Sequence, residues 1–123
     1  MPEYFYDTYA IFEYLKGNKK YQKYFKEPLG ITTKLNLMEL YYGLLDDEEY
    51  ADEIYASFLS IVIDLSDAQI KKGLKMRKEL KDKRLNISYV DAIGYSISKE
   101  RKIKFLTGDK EFKNLPNVEY VKK

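Results

Sequence analysis

Short runs of β-branched and aromatic residues alternate along this chain with segments of helical periodicity, and few folds accommodate that alternation. Glu3 to Asp7 is an aromatic run that reads as a first strand, and Ile31 to Thr33 as a short buried one. Ser60 to Leu65 (Ser-Ile-Val-Ile-Asp-Leu) reads as the clearest buried strand, followed by Ile103 to Thr107 and Val118 to Val121. Between them, Thr8 to about Gly17 carries Ile11, Tyr14 and Leu15 at helical spacing, and Lys19 to Lys26 reads as a second short helix before the turn marked by Pro28 and Gly30. Leu37, Leu40, Tyr41 and Leu44 form one stripe of a helix that Thr33 can cap. Another helix runs from the acidic break at Asp46 to Glu49 as far as about Leu59. Ser66-Asp67-Ala68-Gln69 matches a capping box that opens a basic helix to about Arg84. Ser88 can cap a further helix with Val90, Ile93, Gly94 and Ile97 on one face, and Asp109 to Phe112 reads as a helical turn. The expectation is one domain over residues 1–123, an α/β fold with a three-layer α/β/α sandwich around a mostly parallel sheet. Such sheets bind ligands outside the carboxyl ends of their strands. Asp7 ends the first strand, and Asp109 follows the Ile103–Thr107 strand closely.

Composition narrows the chemistry more than the fold. The chain has no Cys, which excludes a disulfide framework, a thiolate nucleophile and a Cys-based zinc site. It has no His, which removes the commonest general base and transition-metal ligand. Polar chemistry must therefore run on carboxylates, Lys, Tyr or hydroxyls, and carboxylates favour hard cations such as Mg²⁺ and Mn²⁺. The formal net charge of +2 does not by itself argue for a nucleic-acid partner. No apolar run approaches the roughly 20 residues of a membrane span, and Met1-Pro2-Glu3-Tyr4 does not resemble a signal peptide, so the expected location is the cytoplasm.

Local surroundings set three acids apart, and its place just after a strand adds Asp109. Asp7 emerges from a buried strand without a basic neighbour, though it could simply cap the next helix. Asp91, between Val90 and Ala92, lies close to the apolar face of its helix, though the first turn of a helix also favours a carboxylate. Glu39 borders the Leu37–Leu40–Leu44 stripe, where an acid is expensive unless paired or metal-bound. Asp109 is either a turn residue or part of a site at the strand ends.

These acids sit in four motifs that resemble, in order, those of the PIN-domain ribonucleases, and within them the VapC-type toxins of toxin–antitoxin pairs. Tyr6-Asp7-Thr8 resembles the strand-end Asp followed by Ser or Thr. Glu39-Leu40-Tyr41-Tyr42-Gly43 resembles the helical Glu-Leu-x-x-Gly. Asp91-Ala92 resembles the third acid with its small neighbour. Leu106-Thr107-Gly108-Asp109-Lys110-Glu111-Phe112 resembles the last motif, Thr, then Asp two residues on, then Phe. Tyr9 departs from the pattern, standing where the family often has a small polar residue.

The resemblance implies a Mg²⁺- or Mn²⁺-dependent endoribonuclease with Asp7, Glu39, Asp91 and Asp109 as catalytic residues. Asp7, Asp91 and Asp109 would be direct or water-mediated metal ligands, and Glu39 a ligand or the group orienting the attacking water. Thr8 and Thr107 would hold carboxylates in place. The resemblance also implies a homodimer and a small antitoxin protein that blocks the site, with Tyr9, Phe12, Tyr21 and Tyr24 as a possible anchor surface. On the basic helix, Lys71, Lys72, Lys75 and Lys78 are candidates for RNA phosphates, against a plain solvated face. Lys16, Lys19, Lys20, Lys23 and Lys26, interleaved with Tyr21, Tyr24 and Phe25, form a second basic cluster. Asp64 and Glu111 are either extra ligands or bystanders. Two other readings compete: a receiver-like regulatory domain phosphorylated on Asp64, and a catalytically inactive PIN fold that binds RNA or protein.

Overall fold

A computed structural model describes residues 2–122. β1 (Tyr4–Tyr6), β2 (Lys104–Thr107) and β3 (Val118–Tyr120) form a parallel sheet in that order. Tyr4 stands opposite Lys104, and Phe105 opposite Val118. The helices are α1 (Thr8–Leu15), α2 (Lys19–Gln22), α3 (Lys34–Gly43), α4 (Glu48–Phe58), α5 (Asp67–Asp82) and α6 (Tyr89–Arg101).

The alternation of side chains along each strand sorts the core into two layers. Phe5 and Phe105, stacked at 5.8 Å, point to one face and pack with Ile93, Tyr95, Ile97 and Phe112. Tyr6 and Leu106 point to the other and pack with Ala10, Ile11, Tyr21, Leu37 and Leu40. Helices α5 and α6 cover the first face, and α1 to α4 the second, so the expected three-layer sandwich is what forms. The tyrosine-rich composition is absorbed by the second layer. Tyr6 is fully buried; its hydroxyl donates to the Tyr24 carbonyl at 2.6 Å and accepts from the Gly30 amide at 2.8 Å. Phe25 lies between the Tyr6 and Tyr14 rings, 4.0 and 4.2 Å from them. Fully burying a side chain of this size contributes ~1.5–3 kcal/mol, provided any hydroxyl finds a partner as Tyr6 does.

α6 is the most enclosed helix: every residue from Ala92 to Ser98 is buried. α5 lies directly against it because Gly73 has no side chain; a Cβ there would sit 2.6 Å from the Ile93 Cα. The capping boxes expected at Ser66 and the cap at Ser88 both form, as does the cap at Thr33.

Two of the expected strands shrink to single bridges. Ile31 pairs only with Phe5, and Thr32 only with Val62, both in parallel. Ser60 to Leu65 is not the buried strand its composition suggests. Leu59–Ile61 forms a 3₁₀ turn, only Val62 makes a bridge, and Ile61 to Ile63 are half-buried. This segment lies beyond Thr32 at the sheet margin, where Thr32 is the one strand neighbour it meets among the described residues.

Candidate active site

The sheet brings Asp7 and Asp109 to its carboxyl edge. Asp7 follows β1 directly and caps α1, its Oδ1 accepting the Ala10 amide at 2.7 Å. Asp109 lies two residues past β2; its own amide donates to the Thr107 hydroxyl at 3.0 Å, and its carboxylate accepts the Glu111 amide at 3.0 Å. Asp91 stands in the first turn of α6, its amide donating to the Ser88 hydroxyl at 3.1 Å. Glu39, half-buried on α3, accepts the Thr8 hydroxyl at 2.6 Å. The structural roles available to these acids are thus real: Asp7 and Asp109 are caps.

Capping does not account for their electrostatics. Asp7 is buried, and its carboxyl is pushed well above the ordinary carboxylate range, first by burial and then by the Asp91 charge, with Asp109 adding to it. Hydrogen bonds from the Thr107 hydroxyl and the Ala10 amide act in the opposite direction. Asp91 is pushed up to about 6 by burial, then by Glu39 and by Asp109, against a hydrogen bond with Ser88. Each of the four acids therefore acts on at least one of the others through the same small volume. The two ion pairs among the described residues, Lys16–Glu13 and Lys72–Glu100, leave all four without a basic partner.

An all-oxygen set with uncompensated negative charge fits a hard divalent cation. Among the described residues, no three carboxylates already stand together as a ready-made ligand set. Mg²⁺ usually keeps several waters and takes only one or two carboxylates directly. Asp7, Asp91 and Asp109 are the residues that would hold it.

The neighbouring hydroxyls act where the sequence places them. Thr8 links Glu39 to Asn36, whose side-chain amide donates to Thr8 at 3.1 Å; the Asn36 oxygen in turn accepts the Thr33 hydroxyl at 2.6 Å. Asn36 is buried, and sequence reading passed over it. Two signals were available: it is three residues after the Thr33 cap and one helical turn before Glu39. The Glu111 side chain is occupied, accepting the Asn86 amide at 2.8 Å. Tyr9, the departure from the family pattern, lies against Gly108, where a Cβ would meet its ring at 2.2 Å and the Tyr21 hydroxyl at 2.5 Å. The glycine beside Asp109 thus makes room for the large residue beside Thr8.

The model of one family, the PIN domain, matches residues 4–118. The chain belongs to the PIN-domain family. A toxin–antitoxin complex from Klebsiella pneumoniae has the same fold at a TM-score of 0.75 and 18% identity, over 97% of this chain and 98% of that one. VapBC2 from Rickettsia felis, bound to a DNA fragment from its promoter, gives 0.72 and 24%, with 98% of each chain covered. VapC20 from Mycobacterium tuberculosis, a sarcin–ricin loop cleaving toxin, gives 0.72 and 19%, over 98% and 99%. No curated protein sequence matches the chain.

Placement in the PIN family displaces the receiver-like reading. Asp64, its supposed phosphoacceptor, is exposed just beyond the single bridge at Val62. Within this PIN domain, Lys71, Lys72, Lys75 and Lys78 are all exposed on α5. Lys72 pairs at 3.5 Å with Glu100, at the end of α6 opposite Asp91. Of the second basic cluster, Lys19, Lys20 and Lys23 line a groove with Tyr120 and Lys122, while Lys16 pairs with Glu13. The expected anchor surface does not form as a unit. Tyr21 and Tyr24 are core residues, with hydroxyls bonded to the Val121 carbonyl and to Glu119, and Tyr9 and Phe12 are half-buried. No helix among the described residues is long and apolar enough to cross a membrane.

Proposed function

We propose that this PIN domain is a Mg²⁺- or Mn²⁺-dependent endoribonuclease that hydrolyses RNA phosphodiester bonds and serves as the toxin of a toxin–antitoxin pair. The observation that carries the reading is the mutual coupling of four carboxylates at the sheet's carboxyl edge with no basic partner. Like charges so coupled repel one another when ionised, and a bound divalent cation relieves that repulsion. A bound divalent cation supplies charge neutralisation at the scissile phosphate and acidifies a water for attack.

The chain's own groups do the positioning. Asp7, Asp91 and Asp109 hold the cation, directly or through water. Thr107 fixes Asp7 and orients the backbone of Asp109, and Ser88 fixes Asp91. Glu39, held by the Thr8 hydroxyl and open enough to meet solvent, orients the attacking water and takes its proton. This set needs no His. The toxin–antitoxin complexes among the solved neighbours support the toxin role and a small antitoxin partner; the homodimer rests on the family resemblance.

Cleavage of cellular RNA by the purified protein, followed on gels with Mg²⁺ or Mn²⁺, is the test. Wild type should cut, and Asp7→Asn, Asp91→Asn or EDTA should abolish cutting. Unchanged cutting under those three conditions would sink the mechanism; no cutting of any RNA would favour a PIN fold that only binds.

A further inference from the structure

A groove of about 630 Å³ lies between the carboxyl end of α5 and the start of α6, lined by Leu74, Arg77, Lys78, Lys81, Asp82 and Tyr89. Three of those six side chains are cationic and one is acidic, so the groove is locally basic although the chain is nearly neutral. Its aromatic wall is unusual. Tyr89 is 61% exposed, among the most open large side chains in the protein. The Arg77 guanidinium lies 4.2 Å from its ring centroid, and Arg77 is itself fixed by donating through Nε to the Ile87 carbonyl at 2.9 Å. An exposed aromatic ring backed by an immobilised guanidinium is a stacking platform assembled before any ligand arrives.

The segment before α6 is tied to the acid centre through Glu111. Asn86, next to Ile87, donates its amide to Glu111, and the Glu111 amide donates to Asp109. Tyr89 and Asp91 both stand in the first turn of α6. The groove and the acid centre thus share the first turn of α6, whereas Lys72 is drawn to Glu100 at the far end of the helix pair.

We propose that this groove holds part of a single-stranded RNA, one base stacked on Tyr89 and the backbone phosphates against Lys78 and Lys81. The proposal rests on the ribonuclease reading and adds the strand's path. Single-stranded RNA fits because stacking on a side chain needs a base freed from its duplex neighbours.

The test uses the Asp7→Asn protein, to prevent cleavage, with a short fluorescein-labelled single-stranded RNA followed by anisotropy. Adding Tyr89→Ala should weaken binding about ten-fold or more, while Tyr89→Phe, which keeps the ring, should bind normally. Adding Lys78→Ala with Lys81→Ala should flatten the slope of log affinity against log salt by about 1.4, the value for two phosphate contacts on a single strand. In the otherwise wild-type enzyme, Tyr89→Ala should raise KM and leave kcat unchanged. Unaltered affinity and salt slope in these variants would overturn the groove proposal, as would an Asp7→Asn protein that binds no single-stranded RNA. Binding through the groove by a wild-type protein that never cuts would overturn the ribonuclease reading alone.

Discussion

Asp7 caps α1 and faces two other carboxylates at once, and these two duties make separable predictions. Asn caps a helix about as well as Asp but carries no charge. Asp7→Asn should therefore melt no lower than wild type in EDTA near neutral pH, while cleavage falls by at least about 100-fold. The pH dependence follows from the direction of the shifts. Asp91 is pushed up to about 6 in the folded chain from 3.8 as a free side chain, and burial with the Asp91 charge pushes Asp7 well above the ordinary range too. Between these values the folded state binds more protons, so stability is greatest with the carboxyls protonated and is lost as pH rises through the folded values. Thermal melts in EDTA should show this loss from about pH 4 upward, and Asp91→Asn should show less of it. Divalent cations bind the ionised carboxylates, so Mg²⁺ should raise Tm more at neutral pH than at pH 5. At this scale the strand-end acids were legible because connectivity alone puts them at the sheet edge. Asn36 was not, because its meaning depends on Thr8, which reaches it only through tertiary packing.

At the level of elements, two packing devices are open to test. Gly73→Leu would drive a side chain into the Ile93 backbone and push α5 off α6. Overpacking of this kind costs ~1–3 kcal/mol, so chemical denaturation should show a loss in that range without a change in fold. Asn36→Leu removes the amide that holds Thr8 and leaves the Thr33 hydroxyl without its acceptor. A loss of ~1–3 kcal/mol is expected, with cleavage impaired as well because Glu39 loses its anchor. Helices were legible to within a residue or two where a cap and a stripe coincided, as at Thr33, Ser66 and Ser88. Ser60 to Leu65 was misleading because β-branched residues report a preference for extended backbone, not the number of neighbouring strands available. That number depends on where the segment lands relative to Thr32.

Over the whole molecule, the balanced composition conceals a separation of charge. The acids gather at one edge of the sheet, while Arg77, Lys78 and Lys81 line one groove and Lys19, Lys20, Lys23 and Lys122 another. The fold class was readable from alternation alone, and the order of four short motifs supplied the family. The groove at Tyr89 was not readable, since it joins two helices whose close approach is set by a glycine. The register of β1 carries one more consequence. Tyr4 to Tyr6 pair with Lys104 to Leu106, so the strand made first in synthesis finds its main partner only after some hundred further residues. Contacts of such long sequence separation form late in folding. A growing chain on the ribosome that already carries Asp7, Glu39 and Asp91 therefore still lacks both β2 and Asp109, and its acid centre cannot yet assemble.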